Sequence, residues 1–308
     1  MRVSFKIQDL RLFIQASSLI LINGVLFGLT RITLSPLPIV LPLPICACHY
    51  FRGRTVECFY YQLQNYLTFG LSSLHLLLTA IALFVGSAIL LGRLWCGWIC
   101  PLGFIQDVLS RVRRYLLLRH AKLPLKLNEG LGQFRYVFIL LTVVIAFAIG
   151  MPFVQPAERA LLEQPWCQVC PSKPLWMLLQ GFLFILPWKS ALSFTWTSWL
   201  AFLFFLICAF LVRRPWCRVC PLGGLNSLIR RFHATSIVKD DRKCTKCGVC
   251  MRCCPLELTE VYEGKSGEVT SSRCVLCLRC IELCPQEDCL KLTWLAKPVY
   301  ASKAWWGK

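Results

Sequence analysis

The chain is predicted to be a membrane α-helical protein, a bundle of four spans followed by a small α+β domain near the C-terminus. Three observations predict it. Hydrophobic residues fill 56% of the 308 positions, they gather into four long runs, and the last fifth of the chain is polar and dense in cysteine. A helix rises about 1.5 Å per residue and a hydrocarbon core is about 30 Å thick, so about 20 apolar residues make a span. Residues 10–31, 66–91, 134–153 and 194–212 are each long enough. A fifth run, residues 174–187, is too short and lies between prolines, so it reads as a re-entrant or interfacial half-helix. Arg2, Lys6 and Arg11 precede or open the first run with no small-residue cleavage site after it, which reads as a retained helix.

The formal charge of +19 has a location. Between residues 237 and 290, eight Lys/Arg stand against nine Asp/Glu, so the excess belongs to the membrane part and the tail. Basic residues at the ends of apolar runs fit loops held in the cytoplasm and exclude a nucleic-acid partner; the partner of this surface is the lipid bilayer. With the N-terminus inside, sixteen Lys/Arg of the membrane half fall on the cytoplasmic side and six on the other. The expected protein is multi-pass in the inner cell membrane, with both termini and the C-terminal domain cytoplasmic.

The membrane half is written twice. Cys46 and Cys167 are 121 residues apart, and so are Cys96 and Cys217. Trp95-Cys96-Gly97-Trp98-Ile99-Cys100-Pro101-Leu102-Gly103 is answered by Trp216-Cys217-Arg218-Val219-Cys220-Pro221-Leu222-Gly223. Each half reads as span, outer cysteine pair, span, inner cysteine pair, basic helix. The expected divisions are residues 1–115 and 116–236 for two parallel repeats, 237–292 for the cysteine-rich domain and 293–308 for a basic, aromatic tail. Parallel repeats share an axis along the membrane normal. That axis gathers Cys96, Cys100, Cys217 and Cys220 at an inner site, and Cys46, Cys48, Cys167 and Cys170 at an outer one. Four thiolates suit a [4Fe–4S] cluster; the alternatives are disulfides outside, zinc inside, or buried small residues. Cys46-Ala47-Cys48-His49 lacks the second intervening residue of a haem c attachment. Sites at opposite edges of the bilayer would be separated by a core about 30 Å thick.

The strongest signal is Cys244-x2-Cys247-x2-Cys250-x3-Cys254-Pro255, repeated 30 residues on as Cys274-x2-Cys277-x2-Cys280-x3-Cys284-Pro285. This is the two-cluster ferredoxin pattern, in which the fourth cysteine of each run ligates the other cluster. One [4Fe–4S] cluster is expected on Cys244, Cys247, Cys250 and Cys284, the second on Cys274, Cys277, Cys280 and Cys254. Cys253 reads as a neighbour, and residues 259–262 and 268–270 as small strands. Zinc sites do not call for two such runs.

At residues 95–103 and 216–223 and at the two ferredoxin runs, the sequence resembles the NapH/MauN family of polytopic membrane iron–sulfur proteins. The resemblance implies a place at the quinone pool, as in quinol-dehydrogenase subunits of periplasmic nitrate reduction, or help in methylamine dehydrogenase expression. Related larger proteins serve nitrous-oxide reduction and cytochrome oxidase assembly. The family's inner motif is Cys-x3-Cys-Pro; Cys96 and Cys100 fit it, while Cys217-x2-Cys220-Pro221 is one residue short. The outer pairs lie outside the pattern.

Within the spans, Gln15, Asn23 and His75 are the polar residues that need a reason; for His75, a helix–helix hydrogen bond is expected over haem or quinone contact. Cys58, Cys208 and Cys289 read as structural. Arg93, Arg213 and Arg214 flank the inner pairs, where they offset the negative charge of thiolate-ligated clusters. No catalytic set of a hydrolase or kinase is visible. The reading is an electron-transfer subunit of a quinol dehydrogenase-like oxidoreductase complex, working between quinone and partner cytochromes or iron–sulfur proteins. A redox assembly factor for another metalloenzyme and a plain membrane anchor are the competing classes.

Overall fold

The computed structural model describes residues 7–22, 41–46, 48, 56–68, 74–151, 165–182, 187, 189, 192 and 195–304. The membrane half holds α1 (Ile7–Ile22), strands β1 (Leu41–Leu43) and β2 (Val56–Cys58), α2 (Phe59–Thr68), α3 (Leu74–Leu91), α4 (Pro101–Tyr115), α5 (Leu125–Ile149), α6 (Pro165–Val169), α7 (Ser172–Phe182), α8 (Trp196–Leu211), α9 (Trp216–Val219) and α10 (Pro221–Leu228). Of the run at 10–31, α1 is described as far as Ile22; Asn23 lies outside the described residues. Of the run at 66–91, residues 66–68 close α2 and residues 74–91 form α3, while residues 69–73 lie outside the described residues. The short run after Pro171 forms α7, eleven residues long.

Helices α3 and α5 are long and apolar enough to cross a membrane, and α8 is a shorter apolar helix. Their inward faces follow the helical period: Ala80, Phe84 and Ala88 on α3, and Ser198, Phe202, Phe205 and Ala209 on α8, are buried. Their outward faces expose Leu78, Leu90, Leu140, Val144, Leu203 and Phe204. Apolar surface on this scale belongs in lipid, not water, so the bundle has the exterior of a membrane protein. His75 is exposed at the start of α3.

The C-terminal unit is a four-stranded antiparallel sheet in the order β4-β3-β5-β6, formed by β3 (Thr235–Lys239), β4 (Gly267–Glu268), β5 (Leu290–Trp294) and β6 (Lys297–Ala301). Three one-turn helices, α11 (Val249–Cys253), α12 (Glu260–Glu263) and α13 (Arg279–Glu282), pack against it. Residues 259–262 therefore turn into helix where a strand was expected, and strands stand on both sides of residues 237–292. The two cysteine runs share one backbone path. Lys246 and Gly248 have φ of 52° and 70°, and their equivalents Leu276 and Leu278 have 49° and 58°. Left-handed turns between the cysteines curl each loop, and leucines adopt them in the second run despite the cost of φ > 0 for a residue with a Cβ.

Candidate iron–sulfur centres

In the C-terminal unit, Cys244, Cys247, Cys250 and Cys284 line one cavity with Tyr262 and Pro285. The crossed set gathers apart from it: Cys254, Cys274 and Cys277 pack with Val275, Leu256 and Leu258, and Cys280 lies near Cys254, Cys274 and Cys277. Burial pushes the Cys254 thiol up to about 11 and the Cys274 thiol up to about 12. Bare thiolates are thus disfavoured there, and a thiophilic cation that replaces the proton removes the conflict. Cys253 donates to the Cys250 carbonyl at 3.4 Å. Cys289 is buried beside the first cavity, which it helps to line.

The inner motif is where the two halves meet. Cys96, Cys100, Cys217 and Cys220 line a single cavity with Arg93, Gly103, Gln106 and Gly223. The one-residue difference between Cys96-x3-Cys100 and Cys217-x2-Cys220 is absorbed by helix type. Residues Trp95–Ile99 form a π-helical turn, so that the Cys100 N–H reaches the Trp95 carbonyl at 2.8 Å across five residues. Residues Trp216–Val219 are α-helical, and the Cys220 N–H reaches the Trp216 carbonyl at 2.9 Å across four. Both cysteines then cap the following helix in the same conformation, φ −61°, ψ 118° for Cys100 and φ −60°, ψ 119° for Cys220. Single π-turns inside helices collect at functional sites. The carbonyls widened out of this one have partners on α1: Gln15 Nε2 donates to Gly97 O and Ser18 Oγ to Ile99 O, each at 2.9 Å. That is the reason for a buried glutamine in an apolar helix.

The arginines obey the duplication too. Arg93 and Arg214 are 121 residues apart, and each reaches across to the other half's glycine: Arg93 Nη2 lies 3.0 Å from where a Gly223 Cβ would be, and Arg214 Nη2 3.8 Å from that of Gly103. Arg214 holds Asp107 with two bonds, 3.0 and 2.5 Å, and Arg11 adds a third at 3.0 Å. Burial alone would raise the Asp107 carboxyl, but the two guanidinium groups outweigh it and hold it at about 2. Arg93 Nε and Arg214 Nη1 are buried with no protein partner among the described residues. Buried donors of this kind want an anion, and a thiolate-ligated cubane is one. The donors and the four thiols therefore fit an iron–sulfur cluster.

A second cavity lies against this one and is lined by Cys46, Cys48, Cys58, Cys167 and Cys170. The two share Cys46, Cys220 and Leu222. The expectation of two sites at opposite edges of the bilayer is thus corrected: Cys46 follows the buried Ile45 into the bundle and lines the inner cavity beside Cys100 and Cys220. Cys58, read from sequence as structural, is a lining residue, because parallel pairing of β1 with β2 sets it opposite Leu43, just before the Cys46 loop. The missed signal was Pro165-Trp166-Cys167-Gln168-Val169-Cys170-Pro171, which differs from Pro215-Trp216-Cys217-Arg218-Val219-Cys220-Pro221 at one position.

The ferredoxin-like unit docks on the inner motif. Trp98 Nε1 donates to Leu276 O, and Gln8 Nε2 to Cys277 O, each at 2.9 Å; Arg93 Nη1 donates to Ser272 O at 2.8 Å. Arg218 bonds Asn128 and pairs with Glu257 at 3.3 Å, while Asn128 Nδ2 donates to Leu256 O at 3.0 Å. Cys96 and Cys217 pack on the same apolar cluster as Cys254, Cys274 and Cys277.

Comparisons with known proteins agree with this layout. A 4Fe-4S binding domain matches twice, at residues 73–125 and 194–239, and these starts are again 121 residues apart. A 4Fe-4S dicluster domain matches residues 236–285. Among relatives, Uncharacterized protein MJ0750 of Methanocaldococcus jannaschii is 28% identical over 248 residues, covering 78% of this chain and 87% of its own. YccM of Escherichia coli, whose name proposes an electron transport protein, is 28% identical over 72% of this chain and 56% of its own. The Ferredoxin-type protein NapH of Haemophilus influenzae is 28% identical over 65% of this chain and 62% of its own. No solved structure matches.

Proposed function

We propose that this chain, a NapH-type iron–sulfur protein, relays electrons between a membrane quinone and partner redox proteins, through clusters held by its membrane motif and its ferredoxin-like unit. The observation that carries the reading is continuity. Cysteine-lined sites follow one another from the cavity of Cys244, Cys247, Cys250 and Cys284, through Cys254, Cys274, Cys277 and Cys280, to Cys96, Cys100, Cys217 and Cys220 inside the apolar bundle. Each [4Fe–4S] group, when bound, takes up and releases one electron. Oxidation of one quinol yields two electrons and two protons, so the electrons leave singly along the sites and the protons pass to water.

The protein's own residues supply three things. The cysteines offer crossed ligand sets, which tie the two halves of the C-terminal unit together. Arg93 and Arg214 supply positive charge at the inner site, fixed by Ser272 and Asp107. Gln8, Trp98 and Asn128 lock the cluster-bearing loop of the C-terminal unit onto the membrane motif, which keeps the gap between sites short and constant. An anchor without conduction would need none of these contacts to fall at the cysteines.

The experiment is anaerobic reduction of the full chain in lipid nanodiscs by a short-chain quinol, followed in the visible spectrum. Bleaching of the cluster absorbance by quinol, to a plateau set by the quinol/quinone ratio, is expected. Clusters that dithionite bleaches but no quinol reaches would remove the quinone from the account.

A further inference from the structure

We propose that the second membrane cavity is a fourth [4Fe–4S] site whose ligands are Cys48, Cys58, Cys167 and Cys170, with Cys46 left as a thiol between it and the inner site. The two halves' equal spacing assigns Cys46 to this cavity as the partner of Cys167, and the geometry assigns Cys58 instead. Six thiols line the cavity, Cys46, Cys48, Cys58, Cys167, Cys170 and Cys220, and a cubane has four corners; Cys220 already belongs to the inner set. Of the other five, Cys46 is the one that also lines the inner cavity, beside Cys100 and Cys220. Cys58 is fixed by the strand register opposite Leu43 and lies close to Cys48, Cys167 and Cys170.

What marks the cavity as a built site is a device copied from the inner one. Gln106 Oε1 accepts the Trp216 N–H at 3.1 Å, while its Nε2 donates to Leu102 O at 3.1 Å and points at Cys217 Sγ at 3.7 Å. Gln64 Oε1 accepts the Trp166 N–H at 3.1 Å, while its Nε2 donates to Tyr60 O at 2.9 Å and points at Cys167 Sγ at 3.8 Å. The same amide thus fixes the same tryptophan–cysteine step at both places and offers an N–H to the sulfur. Hydrogen bonds to ligand sulfur are one of the protein's means of setting a cluster's potential. A merely structural cysteine has no use for such a clamp. Lys173 lines the cavity and supplies a cation against the net negative charge of a cubane with four thiolates. Neither matched domain includes any of these four cysteines, which fall outside residues 73–125 and 194–285.

The proposal extends the relay by one site, and its test reads iron and thiol reactivity, not quinol oxidation, so failure of the relay and failure of this site give different results. The full chain is purified anaerobically, and iron per chain is measured with the spectrum of the dithionite-reduced clusters. Cys58→Ala and Cys167→Ala are each expected to lose roughly four iron atoms, one cubane, and to keep the ferredoxin-type signals. Cys46→Ala and Cys208→Ala are expected to keep all their iron. Loss of four irons in Cys46→Ala with none in Cys58→Ala overturns the ligand assignment; full iron in all four variants overturns the site. In the unaltered chain, Cys58 is expected to resist alkylation until chelation strips the iron. Equal alkylation of Cys58 before and after stripping overturns the proposal without recourse to any variant.

Discussion

Gly97 lies directly under the carbonyl of Val275, so close that a Cβ at residue 97 would occupy the oxygen's place. One residue belongs to the π-turn of the inner motif, the other to the loop between Cys274 and Cys277. The absence of a side chain at Gly97 is what lets the ferredoxin-like unit sit flush on the membrane motif. Gly97→Ala is expected to leave iron content unchanged and to lift the 274–277 loop, at a cost of about 1–3 kcal/mol, as overpacking of a tight contact does. Thermal unfolding in detergent and hydrogen exchange at Leu276 would register it. An unchanged melting temperature with unchanged exchange would mean that the loop has room to spare.

The pairing of Asp107 with Arg11 and Arg214 predicts a strong effect from a small change. Asp107→Asn leaves two buried guanidinium groups without their anion, and breaking a buried pair this way costs about 3–5 kcal/mol. Because Asp107 is held at about 2, below its value in an unfolded chain near 3.9, its contribution is complete above that value and fades only as pH falls toward 2. The difference in melting temperature between parent and Asp107→Asn should therefore persist undiminished from pH 7 to pH 4.5. A difference that stays constant as pH falls from 4 toward 2 would show a carboxylate that the two guanidinium groups do not depress.

Gln106→Leu removes the N–H aimed at Cys217. An N–H to sulfur favours the more negative, reduced cluster, so its loss should lower the inner potential, on the order of 50 mV if the bond is worth about 1.2 kcal/mol between the two redox states, since 59 mV equals 1.4 kcal/mol for one electron. Redox titration by electron paramagnetic resonance checks the direction. A potential that rises, or ferredoxin signals that move equally, would detach the glutamine from the inner site.

Much of this was legible in the chain. The 121-residue spacing of cysteines led to the pairing of the halves, and the two Cys-x2-Cys-x2-Cys-x3-Cys-Pro runs led to the crossed sets that the fold brings together. The rest turned on features that spacing cannot express. The missing residue in Cys217-x2-Cys220 looked like a departure, because a π-turn and an α-turn that end in the same cap are indistinguishable until the backbone is drawn. Cys58 looked structural because only the pairing of β1 with β2 sets it beside the Cys46 loop. Gln15 stood out as a polar residue that needed a reason, and the reason, two widened carbonyls, was itself a consequence of the π-turn.

Removal of either half's inner thiol should cost the same cluster. Cys96→Ser and Cys217→Ser are each expected to lose roughly four iron atoms per chain and to leave the ferredoxin signals in place. If one variant keeps its iron while the other loses it, the two halves do not share a site.

The most direct test of the relay is the rate at which quinol reduces the ferredoxin-type clusters in nanodiscs, followed by freeze-quench electron paramagnetic resonance, with and without Cys217. The account predicts that these signals grow promptly in the parent chain and at least tenfold more slowly in Cys217→Ser, although dithionite still reduces them fully. Equal rates in the two proteins would contradict it, because the electrons would then be reaching the ferredoxin-like unit by a route that does not pass through the inner site.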